Sequence, residues 1–373
     1  MMLSIQSLTL HRFRNHRFTE IHPLQGSVIL TGPNGAGKTN ILEAISLLSP
    51  GRGLRKARLR EMCSQQSDTP WVVSADIDGL QGNAHIGTSL DPQSERERRL
   101  IKIDGEKERS QTALAEYLAI SWQTPQMDGL FLASDGERRR YLDRLIYGFD
   151  AAHLTRVNQY EHAMRERNRV LAQGPADANW LHALEQQMAS NGVAIASARL
   201  EVLARLNASM QTAQDHFPRA MLSMAGELEG WLQEDDASAA EEKAATAFEQ
   251  YRPRDAAAGR ALFGAHKSIW QVMHQEKQMH AAYCSTGEQK ALLLSILLAH
   301  ARARKDWLGL APVLLLDETV AHLDETRRAA LAEALVSLKT QAWLTGTDAA
   351  DFAAFEDFAT LWRVVDGMLE EQP

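Results

Sequence analysis

The chain has 373 residues and 41.5 kDa, with 45% apolar and 24% charged residues, which is globular composition with room for two domains or more. Its 40 basic and 48 acidic residues give a net charge of −8, which argues against a surface coated throughout in positive charge. Two cysteines, Cys63 and Cys284, exclude a disulfide framework and a Cys-rich zinc module.

The opening residues, MMLSIQSLTLHRFRNH, lack a long apolar stretch and reach a charge at Arg12, so they do not read as a signal peptide. The longest apolar run, residues 291–299, contains Ser295 and is far too short to cross a bilayer. A reducing cytoplasm and no membrane partner are the expectation.

In chain order, Leu3, Ile5, Leu8 and Leu10 lead to Phe13 as a strand. A second apolar run, Ser27-Val28-Ile29-Leu30, enters a glycine-rich turn. A helix pattern follows at Ile41, Leu42, Ala44, Ile45 and Leu48, ended by Pro50-Gly51. Segments 71–73, 84–86 and 100–103 read as short strands, with turns at Asp78-Gly79, Asp91-Pro92 and Asp104-Gly105. From Arg138 onward the texture is helical, with one break at Gly174-Pro175. Leu181, Leu184, Met188, Ile195, Val202 and Leu206 then fall on one narrow helical face. Two long helices around one break read as an antiparallel arm or as a helical bundle. Residues 224–245, rich in Ala and Glu, read as a surface helix or a loose linker. The unbroken apolar run Pro312-Val313-Leu314-Leu315-Leu316 predicts a strand buried on both faces of a parallel sheet. Gln341-Ala342-Trp343-Leu344-Thr345 predicts its neighbour.

Gly32-Pro33-Asn34-Gly35-Ala36-Gly37-Lys38-Thr39 fits the phosphate-loop pattern G-x-x-x-x-G-K-[ST]. Such glycines let backbone N–H groups curl around phosphate oxygens, and the helix N-terminus adds positive potential. Lys38 is expected to reach the β and γ phosphates, and the Thr39 hydroxyl to ligate Mg²⁺. Asp317-Glu318 stands at the carboxyl end of the 312–316 strand, where parallel sheets place ligands. Asp317 is the expected second Mg²⁺ ligand, and Glu318 the general base that polarises the attacking water.

Between these motifs lies Cys284-Ser285-Thr286-Gly287-Glu288-Gln289-Lys290, feeding an apolar helix. It resembles the signature motif of ABC-type ATPases, in which the serine and glycine (here Ser285 and Gly287) bind the γ-phosphate held by a second subunit. Taken alone it also reads as a helix cap, since Ser285 with Glu288 is a capping box. Ala321-His322-Leu323-Asp324 resembles the D-loop of the same class. The long helical insert between Thr39 and Ser285 is similar to the SMC-like branch, in which a helical arm interrupts the head.

Further segments extend the resemblance. They are Leu8-Thr9-Leu10-His11-Arg12-Phe13-Arg14-Asn15, the loop through Asn40, Ser49-Pro50-Gly51-Arg52-Gly53-Leu54-Arg55 and Arg138-Arg139-Arg140-Tyr141-Leu142-Asp143. With the phosphate loop, Ser285 to Lys290 and Leu316-Asp317-Glu318, they run along nearly the whole chain, which thus resembles the RecF family. The resemblance implies an α/β fold: an ABC-type P-loop ATPase head, with a parallel core sheet and an antiparallel β subdomain, and an inserted α-helical arm. Residues 1–140 and 260–373 would form the discontinuous head, and residues 141–259 the arm. It implies ATP-dependent homodimerisation, slow ATP hydrolysis and binding to DNA at gaps and junctions. It also implies partnership with RecO and RecR in loading recombinase.

The sequence departs from these patterns in places. Thr286 stands where ABC proteins usually have Gly, and Glu288 where they have Gln. Gly264-Ala265-His266-Lys267 replaces a Gly-Pro-His-Arg type segment. Thr345-Gly346-Thr347-Asp348 stands where a switch histidine is usual. Gln123 and Gln126 both qualify as the Q-loop residue, and Gln123 is preferred because it directly follows the strand.

Charge is unevenly spread. Residues 1–60 hold nine basic residues against Glu20 and Glu43, a balance of +7, so the remainder carries −15. Arg52, Arg55, Lys56, Arg58 and Arg60 fall in one acid-free run and are the expected DNA-phosphate contacts. No pattern for base-edge readout is present, so backbone and junction shape are the expected targets.

Overall fold

The computed structural model describes residues 2–23, 26–64, 69–94, 97–174, 177–213 and 216–371. The chain forms two compact units. One comprises Met1–Asp128, Ala213–Phe217 and Leu293–Pro373, and the other Gly129–Thr212 and Pro218–Leu292.

The first unit opens with β1 (Ser4–Phe13), β2 (His16–Ile21) and β3 (Ser27–Thr31), followed by α1 (Lys38–Ser46). Then come β4 (Val72–Gly79), β5 (Gly82–Leu90), β6 (Arg99–Ile103), the short β7 (Glu106–Lys107) and β8 (Ile120–Gln123). β1, β2 and β4 to β7 make an antiparallel sheet in the order β2-β1-β4-β5-β6-β7. Its strands alternate buried and exposed residues, as one-faced burial demands. Asp104 and Gly105, at φ 49° and 86°, form the expected two-residue turn. The turn expected at Asp78-Gly79 falls instead on Leu80-Gln81, because Gly79 pairs across the hairpin with Gly82.

The second unit contains α2 (Asp135–Tyr147), α3 (Ala152–Ala172), α4 (Ala178–Thr212), β9 (Ala220–Ala225), α5 (Glu227–Glu234), α6 (Ala237–Ala258), β10 (Ile269–His274) and β11 (Met279–His280). All six residues of the predicted seam are buried along α4. Leu184, Met188 and Ile195 of that seam share one core with Tyr160, Val193, Phe248 and Phe263. Pro175 of the expected break lies outside the described residues. Segment 224–245 is ordered structure, divided among the end of β9, α5 and the start of α6. The sequence placed the insert at 141–259. The compact unit is wider because α2 and the sheet β11-β10-β9 pack with the helices.

α7 (Thr286–Leu308) begins in the second unit and ends in the first. The first unit closes with β12 (Val313–Leu316), α8 (Glu325–Leu338), β13 (Ala342–Thr345), β14 (Ala359–Val365) and β15 (Met368–Glu371). The core sheet has the order β15-β14-β3-β13-β12-β8 and is parallel except for its β15 edge. β12 is buried at every residue, as predicted for the 312–316 run, and β3 and β13 are buried throughout as well. This arrangement brings the carboxyl ends of β3, β8, β12 and β13 side by side. Among the described residues no helix is long and apolar enough to cross a membrane.

Candidate functional site

The phosphate loop leaves β3 and enters α1. Gly32, Gly35 and Gly37 all take positive φ, at 139°, 83° and 113°. A side chain at Gly32 would meet the Val364 carbonyl at 2.2 Å, and one at Gly37 would meet Asn15 and His16 at 2.7 Å. Glycine is therefore required for conformation and for space. The Lys38 ammonium donates to the carbonyls of Gly32 at 2.6 Å and Pro33 at 2.9 Å, spanning the loop. Burial lowers its pKa, against the pull of Glu318 and Asp317.

Two tethers fix the loop from outside. The Asn15 amide donates to the Ala36 carbonyl at 2.9 Å, and Asn40 donates to Asn15 at 2.7 Å. His16 is fully buried, with Nε2 3.1 Å from the Gly37 carbonyl and Nδ1 3.0 Å from the Gly367 carbonyl. Gly367 lies in the β14–β15 turn and donates its N–H to Ala36 at 3.0 Å. Burial lowers the pKa of His16, against the pull of both carbonyls.

The acid pair meets the loop across the sheet. The Thr39 hydroxyl donates to Asp317 Oδ1 at 2.9 Å, and the Thr345 hydroxyl donates to the same oxygen at 2.8 Å. Burial pushes the Asp317 carboxyl upward, while these two hydroxyls pull it down. The Glu318 N–H donates to Thr345 Oγ1 at 2.9 Å, holding Glu318 in the left-handed region at φ 51°. Gln123 is buried at the end of β8, and its carbonyl accepts from Asp317 N–H at 3.0 Å. Gln126 is exposed beyond it. A positive-φ loop with its lysine, joined to a threonine hydroxyl and a carboxylate at hydrogen-bond distance, fits a nucleoside triphosphate with Mg²⁺. Thr39 and Asp317 would hold that metal.

Other predicted residues lie elsewhere. Asp324 is the N-cap of α8, accepting from Arg327 N–H at 2.8 Å. Thr347 and Asp348 are exposed. Ser285 and Gly287 lie exposed at the start of α7, in the second unit. Of the basic run, Arg52, Lys56, Arg58 and Arg60 are exposed. Arg55 turns inward instead, donating to Asn40 at 2.7 Å and to the buried Glu43 at 3.3 Å. Arg14 binds Glu43 through both oxygens, at 2.8 and 2.9 Å. Arg12, Arg14, Arg17 and Arg55 line a cleft of about 810 Å³ that reaches Gly35 and Asn40.

Sequence reasoning assigned no role to His16 or Glu43. Asn15 entered only as part of a motif, and Thr345 only as part of the segment that stands where a switch histidine is usual. Their partners are remote in the chain, so no local pattern marks them.

The chain matches the family described as RecF/RecN/SMC N terminal domain over residues 4–368. It is 43% identical over 371 residues to the DNA replication and repair protein RecF of Rhizobium leguminosarum bv. trifolii, covering 99% of both chains. It is 46% identical over 365 residues to the protein of that name in Mesorhizobium japonicum, covering 97% of this chain and 96% of that one. The fold is similar to a solved structure of the recombination mediator protein RecF-ATP in the RecFOR pathway, with TM-score 0.84 and 20% identity, covering 100% and 98% of the chains. An SMC head domain from Pyrococcus furiosus, bound to the C-terminal domain of ScpA, is more distant, with TM-score 0.55 and 15% identity, covering 100% and 96%.

Proposed function

The chain belongs to the RecF family, and we propose that it is an ATP-driven DNA clamp of recombinational repair and replication maintenance. The observation that carries this reading is the convergence of Thr39 and Thr345 on Asp317 beside the phosphate loop, with Glu318 fixed by the same threonine.

The triphosphate would lie along the backbone N–H groups of residues 34–39, and Lys38 would move from the loop carbonyls to the β and γ phosphates. Bound Mg²⁺ supplies charge neutralisation on those oxygens. Glu318 takes the proton of the attacking water, and Thr345 keeps its backbone in the geometry that aims the carboxylate. Gln123, at the strand end beside Asp317, is the Q-loop residue of this scheme. Ser285 and Gly287 are exposed and belong to the other unit. In this reading they complete the site of a second copy, so ATP closes a symmetric dimer with two shared nucleotides. In the same reading Asp324 is the D-loop acid. Hydrolysis opens the dimer and releases DNA.

The names of the relatives support the repair assignment, and the RecFOR pathway supports RecO and RecR as partners in recombinase loading. The family resemblance implies slow turnover, in a site that is complete only in the dimer. The scheme is tested by sedimentation in ATP. Lys38→Ala loses ATP binding and remains monomeric. Glu318→Gln binds ATP and accumulates as a dimer that does not hydrolyse. A Glu318→Gln protein that binds ATP yet stays monomeric would overturn the clamp.

A further inference from the structure

The start of α7 carries a contact that its proposed role does not require. The Ser285 hydroxyl and the Ser285 N–H both donate to one oxygen of Glu288, each at 2.9 Å. The other Glu288 oxygen accepts from Lys277, in the turn between β10 and β11. Gln289 pins the preceding backbone, with its buried amide donating to the Cys284 carbonyl at 2.9 Å. The two donors of Ser285 are thus already bound to a carboxylate at a helix N-terminus, the place that attracts anions. These ion-pair and cap bonds hold the Glu288 carboxyl down at about 2, with Lys277 the largest influence. It is charged at any physiological pH.

We propose that Glu288 is an internal competitor for the triphosphate at the signature of the second unit, and that Lys277 is the counter-ion that lets it withdraw. This rests on the reading that Ser285 meets a nucleotide held by another copy. In the free protomer the carboxylate occupies the donors that a γ-phosphate must take. On closure the Ser285 hydroxyl passes from the carboxylate to the phosphate, and Glu288 remains paired with Lys277. Without Lys277 the carboxylate charge would face the incoming phosphate uncompensated. Dimerisation therefore waits for a full triphosphate, whose charge outweighs one carboxylate.

The charge and the cap are separable. Glutamine serves in a capping box as glutamate does, so Glu288→Gln keeps the helix start and removes only the charge. The test is sedimentation of the full-length protein against ATP concentration. ATP binding to the dilute monomer is measured in parallel with a fluorescent nucleotide. Glu288→Gln is expected to dimerise at concentrations lower by on the order of tenfold, since each dimer contains two such contacts. Lys277→Met is expected to need several-fold more ATP. Both leave monomer binding unchanged. A purely structural cap predicts no gain in Glu288→Gln. If the wild type dimerises while Glu288→Gln matches it or falls below it, the competitor is refuted and the shared site stands. A Lys277→Met protein that dimerises as readily as wild type refutes the counter-ion. If wild type and Glu318→Gln both stay monomeric in saturating ATP, the shared-site reading fails and the competitor with it.

Discussion

Glu318 adopts φ 51°, a region that side chains other than glycine enter at a cost of about 1 kcal/mol or more. Thr345 holds it there, and the same hydroxyl joins Asp317. Thr345→Val keeps the shape and deletes both bonds. A half-buried N–H and a buried carboxylate oxygen each lose a partner, costing about 1–3 kcal/mol of stability. Turnover is expected to fall about tenfold or more, since each 1.4 kcal/mol of misplacement costs that factor. ATP binding, made by the loop, changes little. Single-turnover hydrolysis beside a nucleotide titration separates the two, and unchanged turnover would remove Thr345 from the machinery. The site was legible where its chemistry is contiguous, in residues 32–39 and at Asp317-Glu318. It was not legible where it depends on tertiary contact. Thr39 meets Asp317 across 278 positions, and His16 meets Gly367 across 351. Nor does a basic run reveal that Arg55 is paired with the buried Glu43.

At the scale of elements, the departure at Gly264-Ala265-His266-Lys267 proves to be a joint between helices. Tyr160 of α3 donates to His266 Nδ1 at 2.8 Å, and Nε2–H donates to the Ala261 carbonyl at 3.0 Å. The neutral ring satisfies both contacts, and protonation would require the Tyr160 hydroxyl to accept where it now donates. The Ala265 carbonyl accepts from Arg199 of α4 at 2.7 Å, and Arg199 also grips Asp143 of α2 through both oxygens. The Arg138 to Asp143 motif is thus part of the packing of this unit. Burial pushes His266 down to about 4, against the Ala261 carbonyl and with help from Lys267 and Arg139. An unfolded histidine protonates near 6.5, so acidification between 6.5 and about 4 favours the unfolded chain. The loss reaches up to about 3 kcal/mol at the low end of that window. Melting followed from pH 7 to 5 should fall less steeply in His266→Asn than in wild type, and parallel slopes would exclude this histidine. α4 was readable from its helical period and β12 from its unbroken apolar run. β2 and β9 were not, because β2 is half exposed and β9 lies on the edge of a small sheet built from segments remote in sequence. The free edge of β9 is itself managed, with the Asn207 amide bonding both the carbonyl and the N–H of Leu222 at 2.8 and 2.9 Å.

For the whole molecule, the net charge of −8 is an average over unlike parts. The first sixty residues carry +7, yet the structure subdivides even that excess. Arg14 and Arg55 neutralise Glu43 beside the phosphate loop, and Lys38 belongs to the loop itself. Arg52, Lys56, Arg58 and Arg60 remain exposed, and Arg60 approaches Glu97 only at 3.8 Å. A DNA backbone would meet these four, while the acidic remainder opposes indiscriminate adhesion. Replacing Arg52, Lys56 and Arg58 by alanine should weaken DNA binding for all sequences alike. It should also lower the slope of log affinity against log salt by roughly 2 to 3, because each lost phosphate contact removes about 0.9 of a released counterion. ATP affinity should be retained. Arg55→Ala should do the reverse, loosening Asn40 and Glu43 at the loop and weakening ATP binding while leaving the salt slope nearly unchanged. Fluorescence anisotropy on a gapped duplex, repeated from low to high salt with ATP present, measures both quantities. An unchanged slope in the triple variant would place the DNA path elsewhere. A reduced slope in Arg55→Ala would return that arginine to the DNA surface.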